Sequence, residues 1–138
     1  VAEEIGAHAF AAARGMIGAR FRPQGCDAAT GFDCVGLVWA AYVAAGARLA
    51  RPTCYPMRGW DRARVEAALR DAGFAPVSDA RAGDVVLIAY AAGQFHLGLM
   101  GAETMIHAHA GLRRVVETPV DGMSELWRLG PMHKTIID

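Results

Sequence analysis

Residues 34–45, CVGLVWAAYVAA, carry no charged side chain over about three helical turns. A helix that is apolar on every face has no side to show to water, so other elements must surround it. This requirement puts the segment at the centre of any fold the chain adopts. Gly46, just past its end, is a natural stop. The wider run 34–50 is broken by Gly36 and Gly46 and falls short of a bilayer, so no membrane span is expected. With 138 residues the chain can bury a real core but has little room for a second one, and a single domain over 1–138 is expected.

The remaining segments read as the cover. Residues 3–17 predict a helix whose Ile5, Ala9, Phe10, Ala13, Met16 and Ile17 fall near one face, with Glu3 and Glu4 in its first turn. Residues 18–31 carry the Gly, Pro and Asp of a loop. Residues 61–72 predict an amphipathic helix with Asp61 near its start and Gly73 past its end. Five short runs follow, 84–90, 95–100, 104–109, 113–118 and 125–129, rich in β-branched and large apolar residues and split by Gly-bearing turns. Helices first and strands afterwards give an α+β fold, with the N-terminal helices packed on an antiparallel β-sheet meander.

Lys plus Arg and Asp plus Glu each number 14, so no basic surface invites nucleic acid. No basic stretch followed by an apolar core and a cleavage site opens the chain, so no secretory signal is expected. Three cysteines, Cys26, Cys34 and Cys54, leave at least one thiol unpaired.

Cys34 heads the central helix, with Asp33 before it as an N-cap. Unpaired N–H groups and the positive end of the helix dipole meet there. Such a site favours a thiolate and is expected to make Cys34 an acidic thiol. A free cysteine is usually a small buried hydrophobe, and on the thiol alone that reading is preferred. The histidines do more. Strand alternation puts His96, Gly98 and Met100 on one face of 95–100, and Met105, His107 and His109 on one face of 104–109. The short turn between them predicts a hairpin with His96 and His107 on neighbouring strands. The bare Gly98 beside His96 suggests room for something to approach. A Cys, a His to deprotonate it and a third group to orient that His form the nucleophile, base and orienter of thiol hydrolases. His8 and His133 sit in polar helical and terminal settings and are read as ordinary surface residues.

At these residues the sequence resembles the NlpC/P60 family of papain-like cysteine peptidases, over about residues 5–130. GFDCVGLV (31–38) is similar to the family's Gly-Phe-Asp-Cys-Ser-Gly-Leu-Val block. RAGDVVLI (81–88) resembles its Pro-Gly-Asp-Leu-Val block. HLGLM followed by MIHA resembles its His-Val-Gly-Ile and Ile-His-Ala block. Three ordered motifs with compatible spacing are specific where one alone is weak. The resemblance implies a papain-like fold, Cys34 as nucleophile, His96 as general base and His107 as the group that orients His96. It implies hydrolysis of peptidoglycan stem peptides between D-γ-glutamyl and a diamino acid, with no cofactor and no metal. The segment GARFRPQ and the missing signal bring it near the phage-tail and gene-transfer-agent subgroup. That implies cytoplasmic synthesis, tail proteins as partners, and action on the wall from a phage-like tail particle.

Two positions depart from the family pattern. Phe21 stands where members carry a Tyr whose hydroxyl is associated with the oxyanion and substrate site. Val35 stands where they carry a Ser associated with the substrate's free amine, which leaves that role to Asp33. His109, on the face of His107, is a further candidate for contact with substrate. Two other readings remain open on the residues: a wall-binding or structural tail module without turnover, and a zinc site formed by Cys34, His96, His107 and His109.

Overall fold

The computed structural model describes residues 2–49, 62–89, 95–120 and 125–130. Its elements in chain order are α1 (Ala2–Arg14), β1 (Cys26–Asp27), β2 (Gly31–Phe32), α2 (Cys34–Ala44), α3 (Arg62–Asp71), β3 (Phe74–Val77), β4 (Val85–Ala89), β5 (Phe95–Met100), β6 (Thr104–His109), β7 (Arg114–Pro119) and β8 (Glu125–Leu129). Asp61, Cys54 and His133 lie outside the described residues, as do the side chains of Glu3 and Glu4.

The apolar helix is α2, and it is central. Val35, Leu37, Val38, Trp39, Ala41 and Tyr42 are all buried, while Val43 at its far end is 53% exposed. The segment is therefore enclosed along most of its length and emerges only where the chain turns away. Ala9, Phe10 and Ala13 of α1 join the same core, as do Val65 and Leu69 of α3 and Val85, Leu87, Leu97, Leu99, Ile106, Ala108, Val115 and Trp127 of the sheet. Burying one such side chain fully is worth about 1.5–3 kcal/mol. α1 stops three residues before the expected end, in a turn that begins at Gly15.

Six strands form one sheet in the order β3-β8-β4-β5-β6-β7, with antiparallel neighbours throughout. The α+β class holds, and the meander runs from β4 to β7. The last strand departs from it, entering between β3 and β4. β3 has no counterpart among the runs read from the sequence. Its Pro76 argues against a strand, and it is tolerated because β3 lies at the sheet edge. Residues 18–32 hold the two-residue pair β1–β2 and make two isolated bridges, Arg20 to Arg114 of β7 and Phe21 to Phe32.

The RAGDVVLI block ties these layers together. Asp84 is 1% exposed and takes Arg128 Nε and Nη2 at 2.8 Å each, one on each carboxylate oxygen. The Arg81 N–H adds a third bond at 2.8 Å, and the Tyr42 hydroxyl donates to the Gly83 carbonyl. The start of β4 is thereby joined to β8 and to α2. Removing one member of such a pair strands a buried charge, at a cost of about 3–5 kcal/mol.

Candidate active site

Cys34 is the first residue of α2, and the capping expected of Asp33 is present. Asp33 is extended (φ −102°, ψ −174°), and its Oδ1 accepts the Gly36 N–H at 2.7 Å. Its Oδ2 accepts the Gln24 N–H at 2.7 Å, and its own N–H donates to the Gly25 carbonyl at 3.2 Å. Both carboxylate oxygens thus serve the backbone, in a residue only 8% exposed. The loop can come this close because residue 36 is glycine: a Cβ there would stand 1.8 Å from the Gly25 oxygen. The Gly-Phe-Asp-Cys-Val-Gly stretch is a clamp that fixes where the Cys34 side chain starts.

Cys34 is half-buried, and its sulfur lies against the backbone N–H of Leu97, the residue after His96 on β5. The expected acidity is not found. Burial, the largest influence, together with the negative Asp33, pushes the thiol up to about 11, against the pull of the Leu97, Val35 and Cys34 N–H groups. The helix terminus does favour the thiolate, but the low-dielectric protein around the sulfur outweighs it. At neutral pH Cys34 is a thiol.

His96 and His107 meet as the hairpin predicts. His96 Nε2 stands 2.7 Å from His107 Nδ1, with the rings edge to face and their centroids 4.9 Å apart. His107 Nε2 stands 2.8 Å from Thr118 Oγ1 on β7. Burial first, then the neighbouring imidazoles, lowers His96 to about 3 and His107 to about 4. Both are neutral at pH 7, which a general base has to be before it accepts a proton.

The space expected beside Gly98 is already filled. A Cβ at 98 would meet Met105 Cε at 2.6 Å, the Ile106 oxygen at 3.0 Å and His107 Cβ at 3.2 Å. The missing side chain admits β6, and with it His107, rather than a ligand. The β5–β6 pairing covers Leu99 with Ile106 and Met100 with Met105, so His96 stands beyond the paired stretch.

The other candidates divide. Val35 is 4% exposed and belongs to the core, so its side chain faces α2's apolar surroundings and has no polar group to offer. Phe21 is half-buried against the core, and its bridge to Phe32 puts it beside the residue two positions before Cys34. His109 is half-buried, with its ring centroid 5.6 Å from that of His107 and its Nδ1 accepting the Leu112 N–H at 3.0 Å. Among the described residues no three of His, Cys, Asp and Glu gather closely enough to hold a metal ion, which counts against the zinc reading. Cys26 and Cys34 are free thiols, and His8 is exposed. Thr118 escaped the sequence reading. Its signal is a register, Thr118 opposite Met105 and so diagonal to His107, which pairing between β6 and β7 alone reveals.

Comparison with curated protein sequences finds no match. Among solved structures, the NlpC/P60 domain of the peptidoglycan hydrolase SagA is 26% identical, with a TM-score of 0.58, over 91% of this chain and 97% of that one. NlpC2 from Trichomonas vaginalis has a TM-score of 0.69 at 18% identity over 91% of this chain, which spans about half of it, 46%. The peptidoglycan hydrolase RipB from Mycobacterium tuberculosis has a TM-score of 0.62 at 21% identity, covering 92% of this chain and 65% of that one. The family model for NlpC/P60 matches residues 18–128, a span that holds the Cys34 clamp, the Asp84 tie and the histidine pair. The chain belongs to the NlpC/P60 family, the papain-like cysteine hydrolases whose three motifs its own resemble.

Proposed function

We propose that the protein is a cysteine peptidase that cleaves peptidoglycan stem peptides at the bond between D-γ-glutamyl and a diamino acid. The observation that carries this reading is the neutral His96–His107 pair, whose first member lies on the strand whose backbone meets the Cys34 sulfur. His96 takes the thiol proton as the sulfur attacks the scissile carbonyl. The tetrahedral intermediate collapses, and His96 returns the proton to the departing amine. Water then attacks the thioester, with His96 again as base, releasing the carboxylate and restoring the thiol. His107 holds the imidazole in place. The Cys34 backbone N–H, at the open end of α2, is a donor for the developing oxyanion. Phe21, beside Phe32, and His109, beside His107, are the side chains placed to meet a bound stem peptide, whereas Val35 is buried in the core and Asp33 acts through the clamp, with both carboxylate oxygens on the backbone.

The SagA and RipB likenesses support a wall substrate. Synthesis in the cytoplasm and delivery in a phage-like tail particle, with tail proteins as partners, is the setting we infer from the GARFRPQ segment. Sedimentation of the protein with tail particles checks that setting. A second reading, wall binding without turnover, draws on Phe21, which lacks the family's hydroxyl, and on the high thiol pKa of Cys34. Incubation with purified peptidoglycan, followed by mass spectrometry of the fragments, decides between them. Release of fragments with a new γ-glutamyl carboxylate supports the peptidase. Binding of the wall with no fragment, from wild type and Cys34→Ala alike, supports the binding module.

A further inference from the structure

The hydrogen-bonded chain does not end at His107. We infer that Thr118 is a positioning residue whose hydroxyl, accepting from His107 Nε2–H, sets the direction of the whole chain so that His96 is left able to take the Cys34 proton. The inference rests on the reading of His96 as the base.

Each link in the chain has two polarities. A neutral imidazole carries one N–H, so its two nitrogens must play opposite roles. If Thr118 Oγ1 accepts from His107 Nε2, then His107 Nδ1 is an acceptor. His96 must then donate through Nε2–H across the 2.7 Å contact, and its Nδ1 holds a lone pair. If the hydroxyl instead donates to His107 Nε2, every role inverts. His107 Nδ1–H donates to His96 Nε2, and His96 Nδ1 is already protonated. Only the first polarity gives a base on the nitrogen turned away from His107. A hydroxyl can both donate and accept, whereas His107 Nε2 has only the role its tautomer gives it. His107 is 4% exposed, so water does not readily replace Thr118 as its partner. An imidazole N–H buried without an acceptor would carry an unpaired polar group, which drives a tautomer change once the hydroxyl is gone.

The geometry behind the assignment comes from strand register. Thr118 pairs with Met105, and His107 pairs with Val116. The two side chains therefore lie diagonally on one face of the β6–β7 ladder, within reach of long or polar side chains. Glu117, the neighbouring acid, bonds Arg14 and Thr104 and lies on the opposite face.

Thr118→Val keeps the shape and removes the hydroxyl, and Thr118→Ser keeps the hydroxyl. The readouts are kcat and KM on wall fragments and the 15N shifts of the His107 ring, which separate protonated from unprotonated nitrogens. The expected result is a kcat roughly tenfold lower in Thr118→Val with KM little changed, and a His107 proton moved from Nε2 to Nδ1. Thr118→Ser should match wild type in both. Thr118→Val with His107 still protonated at Nε2 overturns the inference, as does Thr118→Ser failing as Thr118→Val does. If wild type cleaves no wall peptide, the peptidase reading falls while the 15N shifts still decide the role of Thr118.

Discussion

Gly98→Ala tests whether the glycine exists to bring His107 against His96. The added methyl would meet three atoms, Met105 Cε at 2.6 Å, the Ile106 oxygen at 3.0 Å and His107 Cβ at 3.2 Å. The first is the end of a flexible side chain and can swing away. The other two are fixed to the β6 backbone. Ordinary contact begins at 3.4 Å, so they must retreat by about 0.2–0.4 Å. Carried to the ring, that retreat stretches the His96–His107 bond from 2.7 Å to about 3.1 Å, the long end of a good hydrogen bond. The bond survives but holds His96 less firmly. The expected loss in kcat is about three- to tenfold, or about 0.6–1.4 kcal/mol in the barrier. Overpacking a dense site costs about 1–3 kcal/mol of stability, and the mobile Met105 keeps it near the lower figure. Turnover on wall fragments with a melting curve alongside measures both. Gly15→Ala is the control, since its Cβ comes no nearer than 3.4 Å to the Ala12 oxygen, and it should change neither. A Gly98→Ala enzyme that melts lower yet turns over within twofold of wild type would refute the reasoning and leave Gly98 a packing residue alone.

Cys34→Ala and His96→Ala should each abolish turnover, and the double variant should be hardly worse than either, because the pair acts as a unit; losses that multiply would show that they share no step. Stability should be flat between about pH 6.5 and 9 and fall on both sides. On the acid side the unfolded histidines bind protons that folded His96, lowered to about 3, and His107, lowered to about 4, refuse, so stability drops as pH falls from about 6.5 toward those values. On the alkaline side the unfolded cysteine ionises before folded Cys34, raised to about 11, so stability drops as pH rises from about 9. Urea midpoints across pH check both limbs, and replacing both histidines should flatten the first. Alkylation of Cys34, followed by peptide mapping, should keep accelerating into the alkaline range; a plateau below pH 8 would mean a thiolate in the resting enzyme.

The parts of the fold that depend on period and capping were legible in the residues. The apolar helix, its Asp33 cap and the strands 95–100, 104–109 and 125–129 are signals carried by neighbours in the chain, and they match the observed elements. His96 and His107 were also within reach, because a short turn brings consecutive strands together. What escaped depends on partners far apart in sequence. The entry of β8 between β3 and β4 leaves no trace in either strand. Thr118 reads as one more threonine until the β6–β7 register sets it against His107. The acidity expected of Cys34 failed for a related reason. A helix terminus is visible in sequence, but how deeply the sulfur is buried depends on the folded chain around it, and burial is the larger influence.

The position of β8 has a consequence for how the chain assembles. β4 and β5 can pair as soon as both have been synthesised, yet β4 keeps one open edge until residues 125–129 arrive. Until then Asp84 has no Arg128, and the carboxylate faces a half-built interior. Closing that loop late carries a chain-entropy cost that local pairings do not meet, so the step should limit the folding rate. A nascent chain stalled before residue 125 would expose an unpaired β4 edge rich in Val and Leu, a template for strand addition by other chains. The Cys34 clamp would then sit over an unfinished sheet. A fragment that ends before residue 125 should therefore aggregate, whereas a chain extended through residue 129 carries the strand that fills the gap between β3 and β4.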